Sequence, residues 1–247
     1  MDLIWNQIIE LCEKLSNTTY ENLSKIIRLE AAGSGQKAKQ LDDSMQNDLE
    51  FWMGGGTCFS MTWFLYQSLL DLGLKATLIM GHKKNHRNTH CALILTYQRK
   101  EYFLDPGYLI FDPLEIPRLE NPNSMFPLRP NLVQLTRTKD SLFLYTGSFQ
   151  APMKLRFEFD LAGVSLLDYN RYWEESFYKE MMEYPVLNRL DKKNGIQYYY
   201  QKGNLVTRTG EGSKIQKIEE DQQVRVLSEL FHLKPEIVEK ALLILKN

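Results

Sequence analysis

Residues 54–72 read GGGTCFSMTWFLYQSLLDL, and the rest of the chain is understood outward from this stretch. Gly54, Gly55 and Gly56 run into Thr57-Cys58, where an apolar helix starts; the pattern predicts helix over 57–72. Phe59, Trp63, Phe64, Leu65, Leu69, Leu70 and Leu72 leave it apolar on most sides, as in a helix buried in the middle of a fold. Gly73 is a good residue to end it. A cysteine at the electropositive start of such a helix has its thiol pKa lowered from roughly 8.5 toward about 3.5–7.5.

Toward the N-terminus, Ile4, Ile8, Leu11 and Leu15 recur at helical spacing among Asp2, Glu10 and Glu13. This predicts an amphipathic helix over 3–15 rather than a signal peptide. A second helix is expected at 20–31, and the polar stretch 31–43, with Gly33, Ser34 and Gly35, reads as a surface loop. After residue 73 the pattern changes to strands at Lys75–Met80, His90–Tyr97, Glu101–Leu104, Val133–Leu135, Leu142–Tyr145 and Lys154–Leu161. In the last, Leu155, Phe157, Phe159 and Leu161 alternate with Arg156, Glu158 and Asp160, a half-buried pattern. Six strands with no helix between them predict an antiparallel sheet curled into a barrel. Helix returns at 173–183, strands at 197–201 and 205–209, and helices at 221–232 and 235–246, where Pro235 suits a first turn. The order is helical, then all-β, then mixed: an α+β protein.

At 247 residues the chain can hold one large or two to three small subdomains around a sizeable core. A net charge of -1 argues against nucleic acid as a partner, and no apolar run approaches the ~18 residues of a membrane span. Cys12, Cys58 and Cys91 cannot all pair with one another, which fits reduced thiols in a cytoplasmic protein.

Cys58, His90 before one apolar run and Asp105 at the end of the next supply a thiol, an imidazole and a carboxylate, the parts of an activated cysteine nucleophile. An isolated cysteine is ordinarily a core residue; the glycines and the helix start favour the nucleophile. Asp112, before Pro113, is a rival to Asp105, but it reads as the start of a turn. The three glycines read as tight packing plus an oxyanion donor. His82, His86 and His90 are spaced by four, yet Gly81, Asn85, Asn88 and Thr89 mark a loop, so no metal is expected and His82 and His86 read as surface residues. Cys91 points to the face opposite His90, toward packing, and Cys12 reads as core. Of Tyr198, Tyr199 and Tyr200, most are expected to pack and one to line a pocket.

Several of these segments, in this order, resemble the arylamine N-acetyltransferase family. They are Tyr20-Glu21-Asn22-Leu23, Gly55-Gly56-Thr57-Cys58-Phe59, Thr89-His90, and Leu104-Asp105-Pro106-Gly107-Tyr108. Residues 193–212 resemble the family's late hairpin and Leu230-Phe231 its C-terminal helix. The family normally has an arginine where Gly54 stands, and a glutamate and an asparagine in the region of Ser60, Met61 and Thr62. The resemblance implies a helical domain over 1–73 carrying the nucleophile, an antiparallel β-barrel domain over 74–170 carrying the histidine and aspartate, and an α/β lid over 171–247, around a cysteine-proteinase-like core. It implies a ping-pong acyltransferase. Acetyl-CoA, or another short acyl-CoA, acylates Cys58, and a small-molecule arylamine or hydrazine takes the acyl group. His90 is the base and proton shuttle, Asp105 fixes its tautomer, and no metal takes part. Two rival readings are a thiol hydrolase, peptidase or amide-forming enzyme on the same Cys-His-Asp set, as in transglutaminase- and papain-like enzymes, and a non-catalytic binder using the old cleft. Glu21 and Asn22 read as structural support.

Overall fold

The Asp2 carboxylate accepts from the Trp5 N–H at 3.3 Å and starts α1 (Leu3–Ser16), in a computed structural model that describes residues 2–148 and 150–246. The chain then forms β1 (Thr19–Glu21), α2 (Leu23–Ala32), a helical turn α3 (Gly35–Ala38), α4 (Asp42–Trp52), β2 (Gly54–Gly56) and α5 (Cys58–Asp71). The loop expected over 31–43 thus holds a short helix. α5 is buried as its composition predicts: Met61, Leu65 and Leu69 are wholly enclosed, each such side chain contributing about 1.5–3 kcal/mol.

Eight strands follow: β3 (Lys75–Lys83), β4 (His86–Tyr97), β5 (Lys100–Asp105), β6 (Ile110–Glu115), β7 (Asn123–Leu128), β8 (Asn131–Arg137), β9 (Ser141–Ser148) and β10 (Ala151–Asp160). They form one antiparallel sheet in the order β6-β5-β4-β3-β10-β9-β8-β7, so two meanders are joined where β10 pairs with β3. Ile79, Ile94 and Phe103 from one meander pack with Val133, Leu144 and Phe159 from the other around a single core. The sheet is curled into a nearly closed barrel with β6 and β7 at its edges. Those are the two strands beyond the six expected. Pro113 and Pro127 break their strand pattern, and both are tolerated because an edge strand leaves part of its backbone unpaired.

β4 separates two cores. Ala92 and Ile94 face the barrel interior, while Cys91, Leu93 and Leu95 face the cluster built on α5. β10 departs from strict alternation. Its register against β9 shifts between Leu155 and Phe157, so Leu155 is half exposed while Phe157 and Phe159 are buried. This is the signature of a β-bulge.

α6 (Leu166–Glu175) runs ahead of the helix expected at 173–183, and two 3-10 turns follow at Ser176–Tyr178 and Glu180–Met182. Then come β11 (Val186–Asp191), β12 (Ile196–Gln201), β13 (Asn204–Thr209), β14 (Gly212–Lys217), α7 (Glu220–Phe231) and α8 (Pro235–Ile244). Their sheet has the order β14-β13-β12-β11-β1-β2, so two short strands from near the N-terminus complete it. Leu187, Tyr200 and Leu205 of that sheet pack against Leu227, Phe231, Val238 and Ala241 of α7 and α8.

Candidate active site

Cys58 is the first residue of α5 and is 5% exposed. The first-turn N–H groups of a helix lack intrahelical partners and make its start electropositive. β4 carries His90 and the adjacent β5 ends at Asp105. The His90 Nε2–H donates to the Asp105 carboxylate, 2.8 Å from each oxygen, and one of those oxygens also accepts from the Tyr108 N–H at 2.9 Å. A carboxylate only accepts, so the imidazole proton sits on Nε2 and the other ring nitrogen is left to face the thiol. The Cys58 and His90 side chains both lie against Gly107, so the thiol and the imidazole are neighbours. Phe157 stacks on the His90 ring at 4.3 Å between centroids and 15° between planes, which fixes the ring's orientation. The three groups of the sequence reading are brought together.

Gly107 makes the convergence possible. It lies in the 3-10 turn Pro106–Tyr108, and a Cβ there would overlap the Cys58 Cβ, stand 2.8 Å from its Cα and 3.0 Å from His90 Cε1. Only a residue without a side chain lets the turn lie across both.

The electrostatics favour an ion pair. The Cys58 thiol is held well below its ordinary pKa, first by a hydrogen bond donated by the Cys91 thiol, then by the charge and hydrogen bond of His90 and by the Lys25 ammonium, against the opposing effect of burial. Burial pulls the His90 imidazole down, but Asp105 and the Cys58 thiolate outweigh it and carry its pKa to about 10. Burial raises the Asp105 carboxyl, opposed by His90.

A buried polar layer holds the start of α5. The Glu21 carboxylate accepts from the Gly56 N–H at 2.8 Å, the Ser24 N–H at 2.8 Å and the Ser24 hydroxyl at 2.7 Å. Burial raises its pKa to about 7. The Gly56 N–H is therefore committed to Glu21. Tight packing is the part of the glycine reading that is seen here: Gly56 has φ +79, and a Cβ on it would overlap Gln40 and Ser60. A Cβ on Gly54 would sit 3.1 Å from Glu21 Oε1 and from the Trp52 ring. Ser60 donates to the Thr57 carbonyl at 3.1 Å and Thr62 to the Cys91 carbonyl at 3.4 Å. Asn22 Nδ2 donates to the Met181 and Tyr184 carbonyls at 2.6 and 2.8 Å, and its Oδ1 accepts from the Val186 N–H at 2.8 Å.

Lys25 had no place in the sequence reading. Its ammonium donates to the Ser176 carbonyl at 2.8 Å and hydroxyl at 2.6 Å, and burial lowers its pKa to about 7. Nothing in the local pattern marks it, since its partner is 151 residues away. Cys91 faces packing as expected, and because Cys58 lies in the same buried cluster its thiol also acts on Cys58.

His82 is 6% exposed, not a surface residue. Its Nε2 lies 2.9 Å from Asp160 and its Nδ1 accepts from the Asn88 N–H. The misreading has a physical cause: β3 runs on through His82 to Lys83, past the expected end at Met80. Among the described residues no three or more His, Cys, Asp or Glu side chains gather as a metal site. Asp112 pairs at the surface with Lys192 at 2.8 Å, away from His90. Cys12 is buried in the same cluster as Cys91, and none of the three cysteines is in a disulfide.

Cys58 and His90 open into a cleft of about 470 Å³. Tyr20, Tyr108, Phe157, Tyr172 and Tyr184 line it, as does Tyr199, which is the tyrosine of its strand that reaches the cleft.

A helical start carrying a cysteine, a curled antiparallel sheet and a late mixed sheet define a fold class, that of the arylamine N-acetyltransferases. The chain superposes on the arylamine N-acetyltransferase of Mycobacterium abscessus with a TM-score of 0.81, at 16% identity, covering 98% of this chain and 88% of that one. The Mycobacterium marinum enzyme in complex with CoA gives 0.75 at 15% identity, covering 98% and 92%. A Bacillus cereus arylamine N-acetyltransferase, described as having a unique Cys-His-Glu catalytic triad, gives 0.71 at 16% identity, covering 93% and 91%. No family model matches the sequence, and no curated protein matches it. No helix among the described residues is long and apolar enough to cross a membrane.

Proposed function

We propose that the protein is a ping-pong acyltransferase that moves an acetyl or other short acyl group from acyl-CoA, through a thioester on Cys58, to an arylamine or hydrazine. The observation that carries this reading is the Cys58–His90–Asp105 arrangement at the start of α5, with the His90 Nε2–H held by both Asp105 oxygens. The CoA complex of the Mycobacterium marinum neighbour supports the donor.

In the first half-reaction the Cys58 thiolate attacks the thioester carbonyl of acyl-CoA. The tetrahedral oxyanion forms beside the first-turn N–H groups of α5. As the carbon–sulfur bond to CoA breaks, His90 gives its proton to the leaving CoA thiolate. In the second half-reaction the amine attacks the Cys58 thioester, neutral His90 takes the amine's proton, and the Cys58 thiolate leaves. Asp105 keeps one tautomer throughout and stabilises the imidazolium. A nearly enclosed Cys58 keeps water from the thioester. Three unpaired, buried thiols suit a reducing compartment such as the cytoplasm.

Intact-protein mass spectrometry after mixing with acetyl-CoA tests this. One acetyl adduct is expected on the wild type, none on Cys58→Ala, and an aromatic amine or hydrazine should remove it. No adduct with any short-chain acyl-CoA, while Cys58 remains fast to alkylate, would overturn the donor and direct attention to hydrolysis or amide formation by the same groups.

A further inference from the structure

A second cavity, about 300 Å³, lies behind Tyr108, between the barrel and the late sheet. Lys83, Tyr108, Asn188 and Tyr199 line both it and the Cys58 cleft, so the two spaces share a wall. Its charged lining residues are Lys83, Arg156 and Arg208, with no carboxylate among the described residues that line it. The partners of the two guanidinium groups are neutral. Arg208 donates to Gln197 Oε1 at 2.8 Å, and more distantly to Asn131 Oδ1 and the Ser213 hydroxyl; Arg156 donates to the Thr146 hydroxyl at 2.6 Å. These acceptors position the cations without neutralising them.

The backbone is bent to bring Arg156 here. On β10, Leu155 pairs with Tyr145 and Phe157 with the adjacent Leu144, leaving Arg156 as the extra residue of the bulge. Bulges re-aim side chains, and this one directs Arg156 into the cavity although its neighbour Phe157 stacks on His90. Burial and the neighbouring Arg156 hold Arg208 below its ordinary pKa, partly offset by Tyr108. Two guanidinium groups in one half-enclosed space repel until an anion lies between them, and their planar forks match the oxygens of a carboxylate or a phosphate.

We propose that this cavity binds the anionic group, carboxylate or phosphate, of the substrate whose reacting end lies against Cys58, with Arg156 and Arg208 as its ligands. The proposal rests on the acyl-transfer reading of the cleft, but its test does not require transfer. The measurement is protection of Cys58 from iodoacetamide by 4-aminophenylacetate, by its neutral amide 4-aminophenylacetamide, and by CoA. It is made on the wild type, Arg156→Gln, Arg208→Gln and Arg208→Lys, with thermal melting as the check on folding. If the acceptor carries the anion, the acid protects the wild type at about tenfold lower concentration than the amide. The glutamine variants lose that preference and Arg208→Lys keeps most of it. If the donor carries it, the concentration of CoA needed rises about tenfold in the glutamine variants. Equal protection of wild type and glutamine variants by every ligand, or no protection at all, overturns the proposal. Should Arg208→Gln not fold, Arg156→Gln reads the same difference. Failure of acetyl transfer with the preference intact would sink the reaction and leave the anion site.

Discussion

At the scale of the residue, the site is a matter of which groups share a proton. With Cys58 lowered and His90 raised to about 10, thiolate and imidazolium coexist through the neutral range. The alkylation rate of Cys58 is therefore expected to stay nearly flat between pH 8 and pH 6, falling only at more acid pH as the thiolate is protonated. A thiol with a pKa of about 8.5 would slow roughly 75-fold over the same interval. Iodoacetamide kinetics across that range decide between the two. Gly107 sets a second condition, because the turn crosses directly over Cys58 and His90. Gly107→Ala should cost about 1–3 kcal/mol of stability through overpacking. It should slow Cys58 alkylation by far more than the stability loss accounts for, as seen by comparing melting with alkylation rate.

At the scale of the element, what could be read from the chain was what has a local cause. The apolar faces of α1 and α5, the glycine run and the central barrel strands all announce themselves in consecutive residues. β6 and β7 did not, because Pro113 and Pro127 speak against a strand unless its place at an edge is known. The bulge in β10 did not either, because Leu155, Phe157 and Phe159 alternate as an unbroken strand would. Cys58, His90 and Asp105 were legible from residue type and order. Lys25, the Cys91 thiol's reach to Cys58 and the Gly56–Glu21 hydrogen bond were not, since each depends on a partner remote in sequence. Asn22 shows how such a partner acts. Its side chain has three backbone partners in the 181–186 segment, tying α2 to β11. Asn22→Ala should cost roughly 3 kcal/mol or more, since buried carbonyl and amide groups lose their partner. Denaturant unfolding is the measurement, and a loss under 1 kcal/mol, the worth of about one such bond, would mean water substitutes freely.

At the scale of the whole molecule, buried charge leaves a mark on stability against pH. The folded pKa of Lys25, about 7, lies below its ordinary 10.5. Between those values the unfolded chain binds more protons, so the contribution of Lys25 to stability rises with pH across the window. Lys25→Met removes that slope. The stability of the variant relative to the wild type should therefore fall as pH goes from about 7 toward about 10.5. Melting temperatures of the pair at several pH values test it, and parallel curves would mean that Lys25 stays charged in the fold. The late sheet has a consequence for how the protein comes into being. β1 pairs with β11, and the Thr19 hydroxyl donates to the Phe231 carbonyl, 212 residues away. On a ribosome, the segment bearing Glu21 and Asn22 emerges early and must wait in water until nearly all of the chain has been made. Closing so long a loop comes late and slowly. The polar layer that holds the start of α5 through Glu21 and Asn22 is thus complete only as the last strands join the first.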